Sequence, residues 1–97
     1  MKFFGKRGPA AQIVTNGRFE LERGGHIATL DYTVAGNILA LIHTEIPEPM
    51  RGGGAASTLV KSAFDYARDH HMKVDVVCPF VAAHLKTHPE YSELVLR

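Results

Sequence analysis

Along the segment HIATLDYTV, Ala28, Leu30, Tyr32 and Val34 alternate with Ile27, Thr29, Asp31 and Thr33. A period of two places the first set on one face and the second on the other, which predicts a half-buried strand. Three pairs of turn residues punctuate this region: Asn16-Gly17, Gly24-Gly25 and Gly36-Asn37. Each pair tolerates the positive φ angles of tight hairpins, so each predicts a chain reversal. With AAQIVTN before the first pair, RFELER after it and ILALIHTEI after the last, the pattern predicts a meander of four antiparallel strands. Ile38 to Ile42 is apolar without a break, as expected of a central strand covered on both faces.

Pro47 and Pro49 cannot continue a ladder, and beyond them the period changes. Ala55, Leu59, Ala63 and Ala67, flanked by Ala56, Val60 and Phe64, form an apolar stripe at helical spacing, with Lys61, Asp65, Arg68 and Asp69 elsewhere on the wheel. This predicts an amphipathic helix to about His70. KVDVVC then reads as a short buried strand. Strand, helix and strand in that order imply a right-handed crossover, with Val74–Cys78 parallel to Ile38–Glu45. The remaining residues predict one short helix stopped by Pro89 and a final turn containing Tyr91 and Leu94. The expected fold is therefore α+β: an antiparallel meander, a βαβ crossover and a short C-terminal helix on a mixed sheet.

Composition narrows this picture. The 97 residues, 45% hydrophobic, allow one small domain, expected over residues 11–97 with a flexible tail at residues 1–10. A formal net charge of +1 gives no sign of a nucleic-acid or anionic-membrane partner. No segment approaches the roughly 20 apolar residues of a membrane span, and the N-terminus lacks a signal-peptide core. The single cysteine, Cys78, excludes an internal disulfide and fits a reducing compartment, so a soluble, cytoplasmic protein is expected.

The candidate chemistry centres on IPEPMRGGGAASTLV, where Arg51 and three glycines lead from the central strand into the helix. Free N–H groups at a helix start carry the positive end of the macrodipole, and glycines allow an anion close to the backbone. Arg51 adds a forked cation. A flexible connection is the plainer alternative. A P-loop requires Lys-Ser/Thr after the last glycine, where this chain has Ala55-Ala56. The dinucleotide fingerprint fails as well, since Gly52-x-Gly54 is followed by Ser57 rather than a third small glycine-like position, and the chain is too short for a doubly wound domain.

Arg51-x-x-Gly54-x-Ala56 resembles the Gln/Arg-x-x-Gly-x-Gly/Ala loop with which the GNAT acetyltransferase superfamily wraps the coenzyme A pyrophosphate. From about Phe19 to Val95 the blocks HTEIPEPMRGGGAASTLV, VVCPF and HPEYSELV resemble the small, single-domain GNAT-like family described as predicted acetyltransferases. That resemblance implies a minimal acetyl-CoA-binding fold without the extra segments that build an acceptor pocket in larger relatives. It also implies that Cys78, in the CPF block, lies near the acetyl thioester as a catalytic candidate. Members often carry an aromatic residue where this chain has His84.

The residues suggest their own roles beside it. If the two parallel strands splay, His43, Thr44, Glu45, Ile46 and Cys78 are expected to face one crevice, where open α/β sheets place ligands. Main-chain groups near Thr44–Ile46 can pair with pantetheine amides as with an added strand. Cofactor contacts are thus expected from Thr44, Glu45, Ile46, Arg51, Gly52, Gly53, Gly54, Ala55, Ala56, Cys78 and Phe80. Cys78 is open to three roles: nucleophile, acid that reprotonates the CoA thiolate, or small buried hydrophobe. His43 and Glu45 share one strand face and are candidate bases for an acceptor ammonium, with a structural histidine as the alternative. His70 and His71 complement the helix dipole. His84 and His88 have the spacing of a helical metal pair, but Pro89 ends that helix and no second cysteine cluster completes a site, so no metal is expected. Two functions stay open: an acetyltransferase using acetyl-CoA and an unidentified, amine-type acceptor, or a non-catalytic acyl-CoA-binding or interaction domain. A monomer or weak homodimer is expected.

Overall fold

In the computed structural model, residues 2–5 and 15–96 are described. Five strands form one sheet in the order β1-β2-β3-β4-β5: β1 (Lys2–Gly5), β2 (Thr15–Arg23), β3 (His26–Ala35), β4 (Ile38–Glu45) and β5 (Lys73–Val76). The first four are antiparallel neighbours, and β5 runs parallel to β4 from Ile38↔Lys73 to Leu41↔Val76. Helix α1 (Ala55–Asp69) makes the crossover, and α2 (Pro79–Leu85) follows β5. A 3₁₀ segment at Pro89–Leu94 stacks Tyr91 on Phe64 of α1, with ring centroids 4.6 Å apart.

Two of the three predicted reversals form. Gly24 and Gly25 have φ of 57° and 83°, the paired positive angles of a type I′ turn, and Gly36 has 61°. Asn16-Gly17 instead lies inside β2, where Gly17 pairs with Gly5 on one side and Tyr32 on the other. A local turn preference is outweighed when pairing on both sides satisfies the backbone. Of the predicted strand AAQIVTN, residues 10–14 lie outside the described residues, while Thr15 and Asn16 belong to β2, which pairs with Lys2–Gly5 in the region expected to be a tail.

The core lies on one side of the sheet. Ala28, Leu30, Tyr32 and Val34 are buried as their alternation predicts, together with Phe19, Leu39 and Leu41. Against this face α1 packs Leu59, Val60, Ala63, Phe64 and Ala67. The apolar run of β4 is not buried throughout, as a strand covered on both faces would be: Leu39 and Leu41 are fully buried, whereas Ile42 is 39% exposed. His70 ends α1 through its ring rather than through charge alone, with Nδ1 2.8 Å from the Tyr66 carbonyl and the imidazole stacked on Tyr66 at 4.1 Å.

Truncating the fully buried Phe64 removes one of the largest core side chains and the stack on Tyr91. Phe64→Ala is expected to destabilise by about 3–5 kcal/mol, a large share of the total for a domain of this size. Ile42→Ala on the open face should lower stability by less than about 1 kcal/mol. Urea unfolding of both variants checks the asymmetry, and equal losses would contradict a one-sided core.

Candidate functional site

β4 and β5 part at Leu41. The Leu41 carbonyl accepts hydrogen bonds from both Val77 N–H (3.1 Å) and Cys78 N–H (2.9 Å), which ends the parallel ladder. The predicted strand Val74–Cys78 therefore stops at Val76. On its other side β4 carries a β-bulge: Tyr32 pairs with Leu41 but Asp31 pairs with His43, leaving Ile42 as the extra residue.

The bulge decides which side chains meet. A strict period of two from Leu39 and Leu41 would send His43 and Glu45 toward the core. One inserted residue inverts the phase, so Thr44 points inward and His43 and Glu45 point outward. Thr44 Oγ1 lies 3.5 Å from Cys78 Sγ. His43 and Glu45 do share a face, as their spacing predicts, with His43 Nε2 3.5 Å from Glu45 Oε1, but both are well exposed on the open face. The expected single crevice holding His43, Thr44, Glu45, Ile46 and Cys78 is thus divided between two sides of the sheet.

Beyond Glu45 the two prolines end the strand, and a 3₁₀ turn at Glu48–Met50 buries Met50 as an anchor for the glycine loop. Gly52 and Gly54 have φ of 81° and 82°, conformations that side chains rarely adopt. Gly54 is the N-cap of α1. No side chain caps this end, and the first bond into the helix is Thr58 N–H to the Gly54 carbonyl, 3.0 Å. The N–H groups of Ala55, Ala56 and Ser57 are left outside the helical ladder, at the positive end of a 15-residue helix. The Arg51 guanidinium folds back along the loop, its Nε donating to the Ile46 carbonyl at 3.1 Å.

These residues enclose a cavity of about 500 Å³. Of the expected cofactor contacts, Thr44, Ile46, Arg51, Gly52, Gly54, Ala55, Ala56 and Phe80 line it. Gly53 does not; its carbonyl accepts a 2.8 Å hydrogen bond from Arg23 Nη1, a residue that does not line the cavity. Glu45 lines a second cavity on the open face, with Arg18, Ile27, Thr29 and Arg51. Met50 and Ser57 also line the first cavity and were not among the expected residues. The position of Ser57 in the first turn of α1 was the available signal.

Cys78 is buried just behind this wall, next to Thr44 and the start of α2. Burial pushes its thiol up, but the Thr44 hydroxyl and the N–H groups of Val81, Phe80 and Thr44 favour the thiolate and together hold it below the ordinary cysteine value. The backbone groups act on the sulfur as oriented dipoles, without a side-chain capping bond at α2. His84 and His88 stack at 4.3 Å, and His88 Nδ1 lies 3.1 Å from Glu90 Oε2. Burial first, and the neighbouring His88 second, hold His84 below the usual histidine range.

Both the sequence and the fold have counterparts in known proteins. Protein NATD1 of Homo sapiens is 35% identical over 63 residues, 64% of this chain and 56% of that protein. The Mus musculus and Gallus gallus proteins match to the same identity over 57% of their length. This chain therefore spans a little over half the length of the curated relatives it matches. Among solved structures, a GCN5-like protein from Staphylococcus aureus superposes with a TM-score of 0.62 at 21% identity, covering 95% of this chain and 86% of its own, which demonstrates a shared fold. Residues 18–94, from within β2 to the end of the last 3₁₀ segment, match the GCN5-related N-acetyl-transferase family, and the chain belongs to that family.

Proposed function

We propose that this domain binds acetyl-CoA in the cavity between Thr44 and Phe80 and transfers its acetyl group to an amine acceptor. The observation that carries this is the uncapped start of α1, with Gly52 and Gly54 in positive φ and open space around both. Such a site fits an anionic group: three free N–H donors converge there, Arg51 supplies a cation at the rim, and no acidic residue occupies the first turn. Arg51, Gly52, Gly54, Ala55, Ala56 and Ser57 would hold the pyrophosphate. The Thr44–Ile46 edge, free of β5 beyond Leu41, would pair with the pantetheine amides. Bound acetyl-CoA supplies an acyl group activated as a thioester.

The chain's own groups divide the remaining work. Cys78, with Thr44 beside it, is suited to proton transfer at the sulfur end of the cavity, since its surroundings hold the thiol below the ordinary cysteine value. His43 and Glu45, exposed on the opposite face, are suited to take a proton from an ammonium approaching from that side. A second function, acyl-CoA binding without turnover, draws support from one observation: Cys78 is only 4% exposed and does not line the cavity.

CoA that binds the folded state alone stabilises it by about 2.7 kcal/mol at one hundred times its Kd, raising Tm by roughly 10–20 °C in a domain of this size. Absence of a shift with CoA, alongside a shift with ATP or NAD, would refute the assignment. Ser57→Glu places a carboxylate in the first turn, where it favours the helix but repels phosphate. Its unliganded Tm should match or exceed the parent's while the CoA shift disappears.

The role of Cys78 is checked in two ways. Alkylation by iodoacetamide as a function of pH should show a midpoint below that of ordinary cysteine, because the folded protein favours the thiolate. Thr44→Val removes the hydroxyl donor and should move that midpoint upward, leaving less thiolate at any given pH; an unmoved midpoint would exclude Thr44 as the cause. Release of free CoA from acetyl-CoA over a panel of amines then separates the two functions. Transfer that is reduced in Cys78→Ala, without an acetylated Cys78 by intact mass in the parent, assigns proton transfer. A trapped adduct assigns nucleophilic attack, and no turnover with any amine favours the binding domain.

A further inference from the structure

Arg23 is the last residue of β2, paired with His26 across the Gly24-Gly25 turn. Its Nη1 donates to the Gly53 carbonyl at 2.8 Å, thirty residues away, and so ties the tip of the β2–β3 hairpin to the centre of the glycine loop. Gly53 is the one glycine of the three that does not line the cavity; Gly52 and Gly54 on either side of it do. Arg23 itself does not line the cavity either. In a trans peptide the carbonyl and the next N–H point in opposite directions. A Gly53 carbonyl held back by Arg23 therefore turns the Gly54 N–H forward, away from the guanidinium.

We infer that Arg23 is a positioning residue for the phosphate end of the ligand, acting through the Gly53–Gly54 peptide. This inference rests on the proposed coenzyme A site and deepens it. Three consecutive glycines impose almost no conformational preference of their own, and a peptide between two of them rotates readily between orientations. Among the described residues the Gly54 N–H makes no backbone hydrogen bond, so nothing on its own side of the peptide fixes it. The fixing group is the guanidinium on the carbonyl side. The same group adds a positive charge behind the loop, in support of Arg51, whose Nε is already committed to the Ile46 carbonyl. Coenzyme A is recognised here by a peptide aimed from outside the loop as well as by the loop's own residues.

The experiment compares the parent protein, Arg23→Ala and Arg23→Lys by calorimetric titration with CoA and by the Gly54 amide resonance in a nitrogen–proton correlation spectrum. Arg23→Ala should weaken CoA binding roughly three- to tenfold, the range for losing one charge-assisted hydrogen bond at a solvent-exposed position. Arg23→Lys keeps a cationic donor of similar reach and should bind within about twofold of the parent. The Gly54 amide should shift on CoA addition in the parent and shift less in Arg23→Ala. Unliganded Tm should be nearly the same in all three, since the side chain is exposed. Equal CoA affinity in parent and Arg23→Ala overturns the inference, as does a loss of affinity matched by a fall in unliganded Tm. Failure of the parent itself to bind CoA overturns the proposed function instead, so the two are distinguished by the first titration.

Discussion

The Leu41 carbonyl holds two N–H donors, and the arrangement of the site follows from that sharing. A carbonyl has two lone pairs, so a single acceptor can end a parallel ladder without leaving either Val77 or Cys78 unsatisfied. Below Leu41, β4 and β5 pair and close the core. Above it, β4 continues alone on that side toward Glu45, and its remaining backbone groups face a cavity instead of a neighbouring strand. An unpaired edge next to a cavity suits an extended, amide-bearing ligand, which is the chemistry of pantetheine in the proposed function.

The bulge at Ile42 is the second half of the same design. It turns Thr44 inward to Cys78 and leaves His43 and Glu45 outside, so the sulfur chemistry and the exposed basic and acidic groups sit on opposite faces of one strand. This division matters because side chains on the second face are exposed. Ile27 and Ile42 are exposed there, and Arg18, 2.6 Å from Asp31, lines two further cavities, one of them together with Asp31. A molecule approaching from that side would meet the side chains of β3 and β4 directly. A small family member with its core on one side thereby keeps access to both sides of the strand.

The glycine loop depends on neighbours on both flanks. Buried Met50 and the Arg51–Ile46 bond fix its entry, α1 fixes its exit, and Arg23 reaches its centre from the hairpin tip. A loop of intrinsically permissive residues is thereby held by contacts outside itself, as the anion site of the proposed function requires.

Local pattern alone determined much of this protein. The alternation in β3, the stripe of α1 and the glycine-rich helix start were legible because each depends on residues within one element or one turn, and the parallel βαβ crossover followed from the order of those elements. Tertiary structure decided the rest. Asn16-Gly17 has the composition of a turn, but pairing on both sides draws it into β2, and Lys2–Gly5 joins the sheet where a tail was expected. The apolar run Ile38–Ile42 does not reveal that only one face is covered, since that depends on which helices exist to cover it. The bulge has no signature in ILALIHTEI, yet one extra residue reverses the facing of every later side chain. The tie from Arg23 to Gly53 spans thirty residues and needs the hairpin and the loop to arrive at the same place, a juxtaposition that no local period encodes.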